Sequence, residues 1–288
     1  INRETIYTCY VTEKKKLVGA VDIKDLLTAG ETRLIEDIMD ENVLFAKTMD
    51  DQEEVAKTIR KYGLVAIPII DHENCLVGIV TVDDAMLVMQ DETTEDISIM
   101  AGVSPNEDSY FGTSVFQHAK NRTLWLMLLM LSATVSGEIL AHYEDAMAAM
   151  PILITFIPML MGTSGNSGSQ SSTMVIRGLA VGEIRFKDFF KVLFKELRIA
   201  LLVGTLLAVV NGIRVYLMYD QDLMLAVSIG VTMIGIVCMA KCVGCVLPLL
   251  AKKIGLDPAL MAAPLISTIM DTCTILLYFA IITSIYRM

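Results

Sequence analysis

A chain of 288 residues with 54% hydrophobic side chains and a formal net charge of −10 has the length of about two ordinary domains. Its charge is lopsided: residues 1–120 hold 23 Asp/Glu against 11 Lys/Arg, and residues 121–288 hold 10 against 12. An acidic half joined to an apolar, slightly basic half excludes a disordered chain, a disulfide scaffold and a nucleic-acid binder working through bulk charge. The six Cys are scattered, and no signal-peptide core opens the sequence, so membrane entry is expected from mid-chain.

The acidic half contains an internal repeat. Leu17-Val18-Gly19-Ala20-Val21-Asp22-Ile23-Lys24-Asp25 returns 59 residues later as Leu76-Val77-Gly78-Ile79-Val80-Thr81-Val82-Asp83-Asp84. Each copy predicts a strand ending at Gly, a second short strand, and an Asp opening a helix as its N-cap. Ahead of the second copy, helical spacing covers 50–62. A β-branched strand over 65–70 follows, closed by the turn Asp71-His72-Glu73-Asn74. Too few residues precede the first copy for a leading helix of its own. It is therefore expected to be the C-terminal part of a truncated repeat (1–30), followed by a second repeat (31–91), in a chain that continues a longer protein.

Residues 92–122 form a connector. Thr94 is expected to cap a helix over 96–101, and a helical stretch after Pro105 to lead into the apolar half. Asp50, Asp51, Glu53, Glu54, Asp83, Asp84, Asp91, Glu92, Glu95 and Asp96 crowd the second repeat and connector with few basic neighbours. Such a surface is either a solvated face or a set of oxygen ligands suited to Mg²⁺ or Ca²⁺.

In the apolar half, residues 123–288, five windows approach the ~20 residues that a bilayer core requires: 123–143, 146–161 (or a span that runs on past it), 197–218, 223–250 and 259–286. Arg177, Arg185, Lys187, Lys191, Lys195, Arg198, Lys252 and Lys253 fall on one side of the resulting topology. The acidic turns Glu144-Asp145 and Tyr219-Asp220-Gln221-Asp222 fall on the other. This alternation predicts a cytoplasmic N-terminal half and a C-terminus outside. The stretch Gly162–Thr173, rich in Ser and Gly, reads either as a pore-lining element of irregular or polar backbone or as a plain loop.

Asp271, near the middle of the last window, is costly in a bilayer by ~2.5–3.5 kcal/mol and is expected to face an ion, a water-filled path or a polar partner. Ser267 lies four residues earlier on the same helical face. Glu138 either snorkels to the interface or packs. Asp257-Pro258 reads as an N-cap with Pro at the first helical position, placed to attract cations at an inner mouth. Cys238, Cys242 and Cys245 share one helical face, more in keeping with small-residue packing than with a soft metal.

A period near 60 with this strand and helix order resembles the CBS-domain pair. The full chain resembles the MgtE-type magnesium channels and transporters. The resemblance is carried by Pro158-Met159-Leu160-Met161-Gly162-Thr163-Ser164-Gly165-Asn166-Ser167-Gly168-Ser169-Gln170-Ser171 and by Leu256-Asp257-Pro258 with Asp271 fourteen residues on. It implies a multidomain fold: an α/β CBS-domain pair with its first repeat truncated, then an all-α membrane domain of five transmembrane helices. It implies a homodimer in the plasma membrane that catalyses no covalent reaction and binds no nucleic acid. Its pore would be lined by Asp271, with Ser267 and Asp257 nearby and Gly162, Gly165, Asn166, Gly168 and Gln170 as the pore motif. Mg²⁺ would be both the transported ion and a regulator held at Asp51, Glu53, Asp84, Glu92, Glu95 and Asp96. Thr81 and Asp84 also fit the ribose contact of CBS domains that bind ATP. Gly63 and Leu87 stand where some relatives carry acids, Ala263 where some carry Asn, and Asp22 where the first repeat would offer a hydroxyl. Two rival readings remain: an ion-coupled secondary transporter of divalent metals, and a membrane-anchored nucleotide sensor without transport.

Overall fold

The repeated Leu-Val-Gly stretch forms strands in both places. In the computed structural model, which describes residues 7–106, 108–219 and 222–286, β1 (Thr8–Glu13) and β2 (Lys16–Asp22) make an antiparallel hairpin followed by α1 (Ile23–Thr28). Then come β3 (Ala46–Lys47), α2 (Gln52–Tyr62), β4 (Ala66–Ile70), β5 (Leu76–Thr81) and α3 (Val82–Met100). β4 lies between β3, its parallel neighbour, and β5, its antiparallel one. Two units divide the chain, one up to Thr94 and one from Glu95, with the boundary inside α3.

Local chemistry sets the elements of the first unit. The Asp51 carboxylate accepts the Glu53 N–H at 2.8 Å and starts α2, while Gly63, at φ +64, closes it in the left-handed conformation that glycine adopts freely. Asp71 accepts the N–H groups of Glu73 and Cys75, both at 2.8 Å, and Asn74 takes φ +62, which makes the turn between β4 and β5. Ala46, Ala56, Ile59, Ile67 and Ala85 meet in the core.

Two expectations for this region need correction. Neither strand ends at its glycine: β2 runs through Gly19 and β5 through Gly78. At Gly19 the missing side chain admits Met39, whose Sδ would lie 2.7 Å from a Cβ. Nor does Thr94 cap a new helix. Residues 82–100 contain no Gly or Pro, so α3 is continuous, and the Thr94 hydroxyl donates back to the Gln90 carbonyl at 2.9 Å.

The second unit is helical. Ser114 caps α4 (Val115–Ala141) by accepting the Gln117 N–H at 3.2 Å. After it come α5 (Glu144–Ala149), a 3₁₀ turn (Pro151–Phe156), α6 (Ile157–Ala180), α7 (Phe189–Met218), α8 (Leu223–Lys253), a second 3₁₀ turn (Pro258–Met261) and α9 (Ala263–Tyr286). Among the described residues, α4, α7, α8 and α9 are long and apolar enough to cross a membrane. α8 packs against α6, α7 and α9, and α4 packs against α9.

The second window, 146–161, is not one helix. It is divided among α5, the 3₁₀ turn and the start of α6, because Pro151 offers no N–H to continue a helix. The 24 residues of α6 would reach ~36 Å at the usual rise per residue, but Ser and Gly lower its hydropathy. Gly162–Thr173 is regular helix and neither irregular backbone nor loop, so its amides are satisfied within the segment. Of the acidic turn before α8, Asp220 and Gln221 lie outside the described residues.

Candidate functional site in the helical unit

α6 carries two faces. Ser164, Gly165, Ser167, Gly168, Ser171 and Ser172 are buried, whereas Gly162, Asn166 and Gln170, spaced by four, are exposed. The glycines on the buried face allow helix backbones to touch. A Cβ on Gly165 would sit 3.2 Å from the Ser267 Oγ on α9, and one on Gly168 would sit 2.7 Å from Ile266 and 3.2 Å from the Ala240 carbonyl oxygen. Gly244 of α8 abuts the Gly168 carbonyl directly. Small residues at membrane helix contacts serve this purpose.

Hydroxyls join the same helices. Thr274 donates to Ser164 at 2.6 Å, Ser172 donates to the Met261 carbonyl, and Ser136 of α4 meets Thr272 of α9 at 2.6 Å. The buried Ser167 hydroxyl has no hydrogen-bond partner among the described residues. Asp271, between these contacts on α9, is half-buried, and its carboxylate makes no hydrogen bond or ion pair among the described residues. Ser267 lies one turn away on the same helix, facing Gly165. Asp257 is exposed and accepts the Ala259 N–H at 2.8 Å, so it caps the 3₁₀ turn ahead of α9 with Pro258 first in the turn. Glu138 is exposed on α4.

Several acidic positions named from the sequence have local partners. Asp51 caps α2, and Glu53 pairs with Lys57 at 2.9 Å. Asp84 accepts the Thr81 hydroxyl at 2.8 Å and its N–H at 3.4 Å, the arrangement of half a capping box, and Glu92 accepts Gln52 Nε2 at 2.8 Å. Partial burial alone would lower the Lys57 pKa, but hydrogen bonds to Glu53 and Glu54 outweigh it and raise the pKa above its ordinary value. Glu95 is exposed and Asp96 partly buried on α3. No group of three or more His, Cys, Asp or Glu is placed to hold a metal ion among the described residues of the single chain. The Cys face is no exception: the buried Cys245 thiol donates to the Cys242 carbonyl at 3.2 Å. A cavity of ≈330 Å³ in the first unit is lined by Thr48, Asp50, Gln52 and Asp84 among others, with buried Thr81 holding Asp84 in its wall.

Sequence reasoning missed one constellation. Lys241 of α8 is only 5% exposed, and its Nζ lies 3.3 Å from Ser171 Oγ and 3.9 Å from Glu196 Oε2 on α7. The signal was available, since Lys241 is the sole Lys or Arg inside the 223–250 window, but only loop charges enter a topology count.

Fold and site together define a helical unit with helices long and apolar enough to cross a membrane, one of them carrying a carboxylate unpaired among the described residues, in a chain that begins with a small α/β unit. Residues 157–281, from the first residue of α6, match the MgtE family, described as a divalent cation transporter, and residues 35–91 match the CBS domain. The match runs from the start of α6 into the last turns of α9, so the helical unit is similar to that family over most of its length. The chain is 36% identical over 279 residues to the magnesium transporter MgtE of Thermus thermophilus, covering 96% of this chain and 62% of that protein. It is 34% identical over 278 residues to MgtE of Bacillus subtilis, covering 96% and 61%. The chain thus spans a little over three-fifths of the length of these curated relatives. The crystal structure of the soluble part of a magnesium transporter is 46% identical and covers 31% of this chain and 35% of its own, with a TM-score of 0.30.

Proposed function

We propose that this chain is the CBS and membrane portion of a magnesium transporter. In this reading it is a Mg²⁺-selective, homodimeric channel of the plasma membrane that performs no covalent chemistry. Asp271 is the observation that carries the reading. A carboxylate within a 24-residue apolar helix, without a partner among the described residues, is retained at a cost of ~2.5–3.5 kcal/mol only where it meets a polar ligand. Mg²⁺ dehydrates reluctantly and is held through one or two carboxylates with its waters kept. Two copies of Asp271 across a dimer axis, each one turn from Ser267, suit a largely hydrated ion of that kind. The exposed face of α6, with Gly162, Asn166 and Gln170, supplies polar wall for such an ion, while buried Gly165 and Gly168 let the helices close around it. Exposed Asp257 attracts cations at the inner mouth. The basic residues between α6 and α7 and at the end of α8 support a cytoplasmic CBS unit and an outer C-terminus.

Feedback control accompanies this reading. Mg²⁺ bound at Asp51, Glu53, Asp84, Glu92, Glu95 and Asp96 closes the channel when the internal concentration rises. Because Asp51, Glu53, Asp84 and Glu92 each have a local partner, the ion competes with contacts already made. The cavity beside Asp84 favours a second, compatible role: ATP held with its ribose on Asp84, which the Thr81 hydroxyl orients.

The test is Mg²⁺ uptake into proteoliposomes. Wild type should conduct without any other ion gradient, and Asp271→Asn should abolish flux while the protein still elutes as a dimer. Wild-type flux in Asp271→Asn would sink the pore assignment, and flux that demands a proton or Na⁺ gradient would favour a coupled transporter. Absence of flux in wild type would favour the sensor.

A further inference from the structure

Lys241, Ser171 and Glu196 come from three helices, α8, α6 and α7. Their hydrogen bonds run in one direction: Lys241 Nζ donates to Ser171 Oγ at 3.3 Å, and Ser171 Oγ donates to Glu196 Oε2 at 2.5 Å. The ammonium and carboxylate, 3.9 Å apart, have side-chain exposures of 6% and 13%. Both line a cavity of ≈610 Å³ whose other charges are occupied elsewhere, except for exposed Lys195. Arg177 pairs with Glu183 at 3.6 Å, and Lys191 pairs with Asp188 at 3.3 Å. Among the described residues that line this cavity, Glu196 is therefore the one acid available to balance Lys241. A lone charge at this depth is costly, so each group requires the other.

Position gives the cluster its consequence. Ser171 follows Gly168 by three residues and Lys241 precedes Gly244 by three, so both flank the point where the α6 and α8 backbones touch. One turn back along α6, Gly165 rests on Ser267, itself one turn from Asp271. A slide of α6 against α8 would shift the seat of the helix that carries Asp271.

We propose that Lys241, Ser171 and Glu196 form an internal charge clamp that fixes the register of α6. They are positioning residues for ion passage at Asp271, and this part of the inference rests on the transport reading above. The clamp works as a neutral unit. Removing one charge strands the other, whereas removing both leaves three helices that can still pack.

The experiment compares full-chain wild type, Lys241→Met, Glu196→Gln, the double variant and Lys241→Arg, by Mg²⁺ uptake in proteoliposomes and by thermal unfolding in detergent. Each single neutralisation should lower uptake by about tenfold and lower the melting temperature, the size expected for coupling within one ion-pair network. The double variant should recover most of the melting temperature, because no charge is stranded, but keep reduced uptake, because no clamp remains; Lys241→Arg should stay near wild type in both. Single variants with wild-type uptake and melting, or a double variant whose melting temperature falls by the sum of the two singles, would overturn the clamp. A wild type without flux would overturn the transport reading alone, because recovery of melting in the double variant still supports the clamp and additive loss still rejects it.

Discussion

In the unit up to Thr94, the core is Ala46, Ala56, Ile59, Ile67 and Ala85, and the carboxylates lie on or near the surface. In the unit from Glu95, the buried set includes Ser164, Ser171, Ser172, Thr232, Lys241 and Thr274, while Leu124, Leu126, Leu202 and Leu206 are exposed. One physical rule produces both patterns. Water drives apolar groups inward in the first unit. Lipid gives leucine no reason to hide in the second, so helix contacts depend on close backbone approach and on hydroxyls or charges that find partners inside. The contrast extends to glycine: Gly63 serves a left-handed helix end, whereas Gly168 and Gly244 serve contact between helices.

Four changes would break or sharpen this contrast, read by thermal or denaturant unfolding of the full chain. The largest effect is expected from Ile59→Ala, which empties a fully buried site in the first unit and should cost about 2–5 kcal/mol. A loss below that range would show that the small apolar core is not what holds this unit together. Gly244→Ala, which pushes a methyl group into the Gly168 carbonyl, should cost about 1–3 kcal/mol and, under the proposed function, reduce Mg²⁺ uptake, although it adds apolar surface. A more stable Gly244→Ala protein would mean that α6 and α8 are free to separate.

Smaller still, Asp51→Ala removes the cap of α2 and should cost about 1 kcal/mol, measurable without Mg²⁺ so that loss of the cap is separated from loss of a ligand. The least effect belongs to Lys57. Its pKa is raised in the folded state, so its pairing with Glu53 and Glu54 adds stability that is fully present below the unfolded value near 10.5 and lost as pH rises through the higher folded value. The melting temperature of wild type should exceed that of Lys57→Met by a constant margin from neutral pH upward, and that margin should shrink at strongly alkaline pH. A margin that disappears at acid pH alone would place the dependence on the glutamates.

Much of the first unit was legible because its causes are local. The Asp71–Asn74 turn is read from residues that bond to one another within four positions, and the Asp51 cap and Gly63 end, which the sequence reading does not name, rest on contacts just as local. Asp271 was legible for a different reason, since a carboxylate in a long apolar run stands out whatever surrounds it. The expectation failed where a residue had two readings. Gly19 looked like a strand end but makes room for Met39, and Thr94 looked like a cap but bonds back to Gln90. The second apolar window failed because hydropathy registers Ile152, Leu153, Ile154, Ile157 and Leu160 but neither the break at Pro151 ahead of them nor the helical continuity of the Ser- and Gly-rich stretch beyond them.

The amino-acid sequence by itself determined the division into an acidic α/β repeat and a helical membrane domain, the helix and turn boundaries set by nearby caps, and the isolation of Asp271 in apolar surroundings. Only the tertiary structure decided that Gly165, Gly168 and Gly244 are contact points, and that Lys241 finds Ser171 and Glu196 on two other helices. Caps and hydropathy act over a turn or two of chain and leave their signature in order and spacing. A buried charge is satisfied by whichever helix packs against it, and that choice belongs to the whole assembly of helices.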